Sequence, residues 1–297
     1  MAKLTIAFMV EPGPLELQGS ILAHSLKLNC KDDFQIAAYC RDIYIDHLNP
    51  FTIEMLAQCG ATIEPIKNPF EDNYHAGNKL VVADLDHGTD WVMFMDSDMI
   101  LLKEAHFLNL SRQGHVSACV ANVNVWSNED KDWVRLLQRQ SISDLPEKIS
   151  LRKGDQSRPL FNAGLLLFEN NGFGKDWLRN ALDIDADASL KNKRPWLDTI
   201  AIPATLFRGN GYPMHTLPST WNETTALQDD ETIVLHYHGI RSLGDHQRID
   251  VVNQVIKQSD LPFEGVVRMS KFYSRQLEIK GNLNRRALRH ASLALKR

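Results

Sequence analysis

Two carboxylates interrupt an apolar run at Trp91 to Leu102, which spells Trp-Val-Met-Phe-Met-Asp-Ser-Asp-Met-Ile-Leu-Leu. The apolar residues before Asp96 predict a buried strand, most simply a central parallel one, because a continuous apolar run requires both faces of the strand to be covered. Burying Asp96 and Asp98 without partners would cost several kcal/mol. We therefore expect the pair to lie at the carboxyl edge of a sheet, in a crevice or beside a neutralising cation.

Strands and helices alternate before this run. Predicted strands at 4–10, 34–39 and 61–66 enclose helices at 15–28 and 50–59, and Gly60 stands where a helix cap needs a left-handed residue. This alternation predicts an α/β fold with a doubly wound sheet. The remaining expected elements are strands at 115–122, 161–169 and 232–237, helices at 78–86, 129–140, 172–183, 195–206 and 251–258, and a polar loop at 142–159.

Composition favours an ordinary globular chain. Of its 297 residues, 43% are hydrophobic and 24% are charged. The amino terminus lacks the pattern of a signal peptide, no run reaches the ~18 apolar residues of a membrane span, and the four cysteines have no paired spacing. We therefore expect a cytoplasmic protein with buried thiols.

Positive charge is concentrated at the carboxyl end. Eight Lys or Arg and one acid lie from Lys271 onward, although the whole chain has a net charge of −4. The acidic remainder argues against nucleic-acid binding. We expect a main domain at 1–262 and a basic helical tail at 263–297, which either contacts the inner face of an anionic membrane or remains a solvated terminal helix.

The carboxylate pair has a candidate partner in the segment Leu235-His236-Tyr237-His238-Gly239. On an extended segment, residues two apart project to the same face, so Asp96 and Asp98 can reach one divalent cation. His236 or His238 could add an imidazole, and this mixed nitrogen and oxygen set suits Mn²⁺ better than Ca²⁺. A core histidine with one hydrogen bond is the simpler alternative.

Four further residues carry polar or backbone signals. Gly239 permits close backbone approach to a phosphate, and Arg241 adds a permanent cation. Asn162, in Phe161-Asn162-Ala163-Gly164, weakens a strand in a way that marks a bulge or a ligand contact. Asp198 lies among apolar residues at an expected helix start, where an acid is also ordinary.

Together, these segments resemble the GT-A-fold glycosyltransferases over roughly residues 4–243. The resemblance is greatest to the family-eight type, which includes glycogenin and the lipopolysaccharide galactosyl- and glucosyltransferases. It implies a GT-A (Rossmann-like), mostly parallel central sheet with helices on both faces. It also implies Mn²⁺ or Mg²⁺ as cofactor and a UDP-hexose as donor. The implied metal ligands are Asp96, Asp98 and His236, the implied cofactor-binding residues are Lys79, Asp96, Ser97, Gly239 and Arg241, and the implied catalytic residues are Asp198 and Asn162.

The resemblance implies a metal-dependent hexosyltransferase that acts, with retention, on a hydroxyl of a glycan, a lipid-linked glycan or a small molecule. An inverting enzyme would instead need a base, for which Asp144 and Asp155 are candidates. Thr199 stands where the family commonly has Gln, and Arg241-Ser242-Leu243 replaces Lys-Pro-Trp. These departures motivate an alternative, a catalytically silent GT-A-like protein that binds a nucleotide or sugar. A nucleotidyltransferase is less favoured, because no glycine-rich loop follows the first strand.

Overall fold

A computed structural model describes residues 3–70, 74–208, 211–224, 229–239 and 257–258. The helices are α1 (Pro14–Asn29), α2 (Pro50–Gln58), α3 (Gly77–Asp84), α4 (Asp130–Gln138), α5 (Phe173–Ala186) and α6 (Leu197–Leu206). The strands are β1 (Leu4–Met9), β2 (Phe34–Arg41), β3 (Thr62–Ile66), β4 (Trp91–Met95), β5 (Met99–Leu101), β6 (Val116–Val120), β7 (Ile149–Ser150), β8 (Gln156–Ser157), β9 (Phe161–Glu169), β10 (Met214–Leu217), β11 (Glu223–Thr224) and β12 (Val234–His236).

The largest sheet has seven strands in the order β10, β6, β9, β4, β1, β2, β3. Strand β1 runs parallel to β4, and β10 runs parallel to β6, whereas β9 is antiparallel to both of its neighbours. The expected α/β class with a mostly parallel sheet is confirmed. The expectation of two parallel neighbours for β4 is wrong on the side of β9, because an apolar run reports burial of both faces and not the direction of the neighbouring strand.

The described chain divides into two compact units. The first comprises the described residues within 1–7, 66–95 and 107–219, and the second comprises the described residues within 8–65, 96–106 and 220–297. The first unit contains a core in which α3, α5 and α6 pack together, with α3 against β4 and α6 against β9. All ten residues of α6 are buried.

Two contacts fix the helices of the first unit. At Gly174 of α5, an added Cβ would lie 1.6 Å from the carbonyl oxygen of Ala83 in α3, so only glycine permits this crossing. The indole nitrogen of Trp177 donates to the backbone oxygen of Asp198 at 3.0 Å and thereby holds the first turn of α6 against α5. The start of α6 is therefore rigidly placed within this unit.

The second unit contains a smaller sheet in the order β11, β12, β5. Strand β12 is parallel to β11 and antiparallel to β5, and α1 packs on β5. The buried carboxylate of Glu16 accepts from the backbone of Gly13 at 3.0 Å, from the backbone of Asn49 at 2.6 Å and from the hydroxyl of Thr52 at 2.6 Å. It thus joins the starts of α1 and α2.

The short strands β5, β10 and β11 were not expected from the sequence, and the expected loop at 142–159 contains the β7–β8 pair. The helix expected at 251–258 and the basic tail at 263–297 fall outside the described residues, apart from helical residues 257–258. Among the described helices, none has the length and apolar character needed to cross a membrane. The boundary expected at residue 262 stays a prediction.

Candidate active site

The carboxylate pair occupies the short connection from β4 to β5. The side chains of Asp96 and Asp98 remain 24% and 22% exposed, while Ser97 between them is buried. The hydroxyl of Ser97 donates to the carbonyl of Met9, which ties this connection to the end of β1. Asp96 and Asp98 therefore face partly outward from an anchored backbone, and any contact of Ser97 with a cofactor would use its main chain.

His236 ends β12 and faces both acids. Its Nε2 lies 3.2 Å from Asp98 Oδ1 and 3.8 Å from Asp96 Oδ2. On its other side, Nδ1 lies 3.1 Å from the side-chain oxygen of Asn222. When Nδ1–H donates to this oxygen, Nε2 presents a lone pair to the carboxylates. The contact then requires a positive charge, which either a proton on Nε2 or a metal ion can supply.

His238 completes a possible ligand set. The ligand atoms of Asp98, His236 and His238 all lie within 4.8 Å of one another, and the two imidazole centroids are 3.9 Å apart. His238 adopts φ 56°, a left-handed conformation that costs roughly 1 kcal/mol for a residue other than glycine. Such strain is typical of functional positions.

The electrostatics at His238 favour the neutral ring that metal binding requires. Partial burial of the imidazole, followed by the neighbouring His236, lowers the pKa of His238 to about 4. One carboxylate and two imidazoles, from Asp98, His236 and His238, form a mixed donor set that suits Mn²⁺ or another first-row metal. The backing of His236 by Asn222 is also the usual support for a metal-bound histidine. The residues present therefore fit a divalent metal ion.

The segment after His238 is partly described. An added Cβ on Gly239 would meet open space, so a ligand can approach this backbone closely. Gly239 is not among the glycines with positive φ, so the fold itself does not demand glycine here. Arg241, expected to contact the diphosphate, lies outside the described residues.

In the first unit, Lys79 of α3 and Asp198 of α6 form an ion pair. The distance from Lys79 Nζ to Asp198 Oδ2 is 2.9 Å, and the two side chains are only 11% and 8% exposed. The ammonium also lies 5.6 Å from the ring centroid of Phe94. Within the described part of the chain, Asp198 Oδ1 is buried and has no hydrogen-bond partner. Buried acceptors in folded proteins usually have a hydrogen-bond partner, so this oxygen requires an explanation.

Asn162 lies at an irregularity of β9. The pairing with β6 passes from Ala118 opposite Leu166 to Val120 opposite Phe161. Inside this bulge, the side-chain oxygen of Asn162 accepts from the backbone of Gly164 at 2.7 Å. This irregularity agrees with the bulge, one of the two alternatives that the sequence offered, and the amide nitrogen of Asn162 is not used by this turn.

The structure brings together some, but not all, of the expected residues. It groups Asp96, Asp98 and His236, and separately pairs Lys79 with Asp198. Asp144, which precedes β7, and Asp155, which lies between β7 and β8, are the candidate bases, and both are exposed. The sequence interpretation missed Asn222, because one asparagine beside a two-residue strand carries no recognisable pattern. It also left His236 and His238 as alternatives, whereas the geometry admits both.

Comparisons with known proteins identify the family and the fold of the chain. The family model for the Rhodobacterales glycosyltransferase domain matches residues 6–209. No curated protein sequence matches the chain.

Solved structures of low sequence identity share the fold. The apo structure of the bifunctional glycosyltransferase WbbM is 13% identical, with a TM-score of 0.61, and the match covers 91% of this chain and 52% of that chain. The chain thus spans about half the length of WbbM. The galactosyltransferase LgtC, solved with donor and acceptor sugar analogues, is 10% identical with a TM-score of 0.55, over 86% of this chain and 95% of that chain.

A third structure, the glycosyltransferase GlyE of Streptococcus pneumoniae TIGR4, is 15% identical with a TM-score of 0.50, over 93% of this chain and 64% of that chain. At such identities these likenesses establish the GT-A fold, whereas the family follows from the sequence model, which spans more than half of the chain. Membership of family eight stays a prediction. The chain belongs to the Rhodobacterales glycosyltransferase domain family.

Proposed function

We propose that this glycosyltransferase moves a hexose from a UDP-sugar to a hydroxyl acceptor with the help of a divalent metal ion, preferably Mn²⁺. The observation that carries the proposal is the group of Asp98, His236 and His238, with ligand atoms within 4.8 Å of one another. Asp96 Oδ2, 3.8 Å from His236 Nε2, adds a fourth donor. Mixed carboxylate and imidazole sets of this kind suit Mn²⁺.

The residues around this group have separable tasks. A bound divalent ion would neutralise the charge that grows on the leaving diphosphate. Asp96, Asp98, His236 and His238 would hold that ion, and Asn222 would orient His236. The backbone of Gly239 leaves room for a phosphate oxygen, and Arg241 is proposed to add a cation to the diphosphate.

Lys79 and Asp198 are proposed to act on the hexose. Because Asp198 Oδ2 already accepts from Lys79, the buried Oδ1, which has no partner among the described residues, is the oxygen proposed to receive a sugar hydroxyl. The carboxylate would then orient the sugar and stabilise positive charge at the reacting carbon, as an oxocarbenium-like transition state requires. The amide nitrogen of Asn162 is proposed as a further donor to the sugar.

The proposed stereochemistry is retention. Asp144 and Asp155, the candidate bases for an inverting reaction, are both exposed, whereas a retaining reaction requires no strong base. Proton NMR of the first product formed distinguishes the outcomes, because the coupling constant of the new anomeric proton reports its configuration. A product inverted at the anomeric carbon would contradict retention and would direct attention to a carboxylate base.

A catalytically silent nucleotide-binding protein is the second candidate within this fold. Thr199, at the position where related enzymes commonly have Gln, is buried in α6 and contributes only a short hydroxyl. Binding requires fewer contacts than turnover, so this departure favours binding without catalysis more than any other feature does.

Two measurements test the proposal together. Calorimetry with UDP is expected to show binding that depends on Mn²⁺, and a hydrolysis assay over a panel of UDP-hexoses is expected to show metal-dependent release of UDP. Metal-dependent binding without turnover of any donor, in the presence of acceptors, would support the silent protein. Equal binding of UDP with and without Mn²⁺ would contradict the proposed metal ligands Asp98, His236 and His238.

A further inference from the structure

We propose that Tyr74 is a positioning residue for sugar transfer, because it connects the starts of the two helices that carry Lys79 and Asp198 and so sets the geometry of that ion pair. Lys79 lies in the first turn of α3, and Asp198 lies in the first turn of α6. All three residues belong to the first unit. This inference rests on the proposed function, in which the ion pair acts on the hexose of the donor.

The main chain of Tyr74 supports the start of α3. Its carbonyl oxygen accepts from the backbone N–H of Gly77, the first residue of α3, at 3.0 Å. The same oxygen accepts from the side-chain nitrogen of Asn68 at 2.9 Å, and that nitrogen also donates to Asn78 Oδ1 at 2.7 Å. One of the backbone N–H groups that a helix start leaves unpaired is thus satisfied, two residues before Lys79.

The side chain of Tyr74 supports the start of α6. Its hydroxyl donates to the carbonyl oxygen of Pro195 at 2.6 Å. Trp196, the cap residue of α6, makes no side-chain hydrogen bond to the helix, so α6 lacks a local side-chain cap. The tyrosine hydroxyl therefore fixes the residue that immediately precedes the cap.

The electrostatics of Tyr74 involve the same neighbours. Burial raises the pKa of its phenol, and the charge of Asp198 raises this pKa further. The ammonium of Lys79 and the backbone N–H groups of Asp198 and Leu197 act in the opposite direction on the pKa. The phenol oxygen therefore lies near both members of the ion pair and near the first amides of α6. At neutral pH it stays protonated and donates to Pro195.

The ring of Tyr74 is held in place by packing. It contacts the ring of Phe70 edge to face, with 5.6 Å between the centroids, and the guanidinium of Arg194 lies 5.0 Å from its centroid. Arg194 Nε in turn donates to Asp185 at 2.9 Å. Tyr74 as a whole is only 8% exposed. Because packed interiors transmit displacements, the fixed phenol holds the start of α6 at a set distance from the start of α3.

The expected consequence concerns the rate of the reaction and not the binding of the nucleotide. A displacement of about 1 Å in a group that orients the substrate can lower the rate of the chemical step strongly. The proposed metal ligands Asp98, His236 and His238 belong to the second unit. Loss of the Tyr74 hydroxyl should therefore reduce kcat and leave the binding of UDP with Mn²⁺ unchanged.

The test compares Y74F with Y212F in the full-length protein. Y74F keeps the packed ring and removes only the hydroxyl. The hydroxyl of Tyr212 also makes a hydrogen bond in the first unit, but its partner is Asp176 Oδ2 of α5, at 2.9 Å. We expect Y74F to lower kcat for UDP-hexose hydrolysis and transfer about tenfold, with no change in the KM for the donor. Y212F should match the wild type in both.

NMR of the lysine side chains provides a readout that needs no turnover. A buried, ion-paired ammonium exchanges its protons slowly with water, so Lys79 should give a resolved ¹⁵N–¹H signal that is assigned by its absence in K79R. We expect this signal in the wild type and in Y212F, and its broadening or loss in Y74F. An unchanged signal in Y74F, or equal kcat for Y74F and the wild type, would overturn the positioning role.

Urea unfolding separates positioning from a general loss of stability. Y74F and Y212F each lose one partly buried hydrogen bond and should be destabilised to a similar extent. A fall in kcat in both variants would overturn the proposal, because it would follow from lost stability alone. Absence of donor hydrolysis in the wild type would instead count against the proposed function, while the Lys79 signal would still decide the role of Tyr74.

Discussion

The Lys79–Asp198 pair and the group around Asp98 balance their charges in different ways. In the Lys79–Asp198 pair, a permanent ammonium lies 2.9 Å from a buried carboxylate, so the pair is neutral without any ligand. In the other group, Asp98 faces the imidazole of His236, whose charge depends on a proton. The Lys79–Asp198 pair has balanced charges in the folded protein without a ligand. The group around Asp98 is suited to bind a cation from solution.

The largest expected effect follows from removing the acid that both histidines approach. Asp98→Ala should abolish metal-dependent UDP binding and transferase activity while leaving the metal-free protein folded, because Asp98 is partly exposed. In the wild type, with Mn²⁺ present, UDP at 100 times its dissociation constant should stabilise the fold by about 2.7 kcal/mol. Thermal unfolding with and without the ligands measures both effects.

The control for Asp98 is Glu104→Ala, which removes an exposed acid of the same unit that pairs with Lys31 at 3.0 Å. This variant should keep the stabilisation by Mn²⁺ and UDP. If Asp98→Ala lowers the stability of the metal-free protein and still binds Mn²⁺ and UDP normally, Asp98 stabilises the fold and is not a metal ligand. The group around Asp98 would then be structural, as the Lys79–Asp198 pair is.

The second effect concerns the ion pair of Lys79 and Asp198. Lys79→Met leaves Asp198 buried without its cation and should lower the free energy of unfolding by about 3–5 kcal/mol. The double variant Lys79→Met with Asp198→Leu removes both charges and should be more stable than Lys79→Met alone. Urea unfolding measures the difference, and equal stability of the single and double variants would show that the pair contributes little to the buried charge balance.

Asn222 offers a smaller and more selective test of the metal group. Asn222→Leu removes the acceptor that orients His236 and should weaken Mn²⁺ binding by about 10- to 100-fold. Asn222→Asp retains an acceptor at the same place and should keep or increase the affinity. Calorimetry in the presence of UDP measures both, and an equal loss in the two variants would indicate disturbed packing and not a lost orientation.

The smallest expected effect concerns the strained histidine. Asparagine tolerates the left-handed conformation well, so His238→Asn keeps the backbone near φ 56° and removes the imidazole. We expect Mn²⁺ affinity to fall by about tenfold, the equivalent of ~1.4 kcal/mol, without loss of stability. Titration of Mn²⁺ followed by electron paramagnetic resonance tests this, and unchanged affinity would leave Asp96, Asp98 and His236 as the ligand group.

The parts of this molecule that the sequence predicted are those set by local burial and backbone chemistry. The apolar run before Asp96 predicted β4, and Asn162 with Gly164 predicted the bulge in β9, since both signals lie in consecutive residues. The direction of β9 could not be predicted, because the same apolar pattern suits either direction.

Pairings between distant segments were also beyond prediction. Lys79 and Asp198 were each identified, but no local pattern indicates that α3 and α6 bring them to within 2.9 Å. The contact between Asn222 and His236 depends on the pairing of β11 with β12, two very short strands. The left-handed backbone conformation of His238 likewise could not be predicted from the residue type.

Gly174 limits which substitutions this protein can accept, because the space beside it leaves no room for a side chain. With the carbonyl of Ala83 1.6 Å from where a methyl group would be, any substitution must push α3 away from α5. That displacement would carry Lys79 with it and lengthen its 2.9 Å contact. Libraries intended to change sugar preference should therefore keep residue 174 fixed, since a change there would be recorded as altered specificity although no residue near the sugar had been replaced.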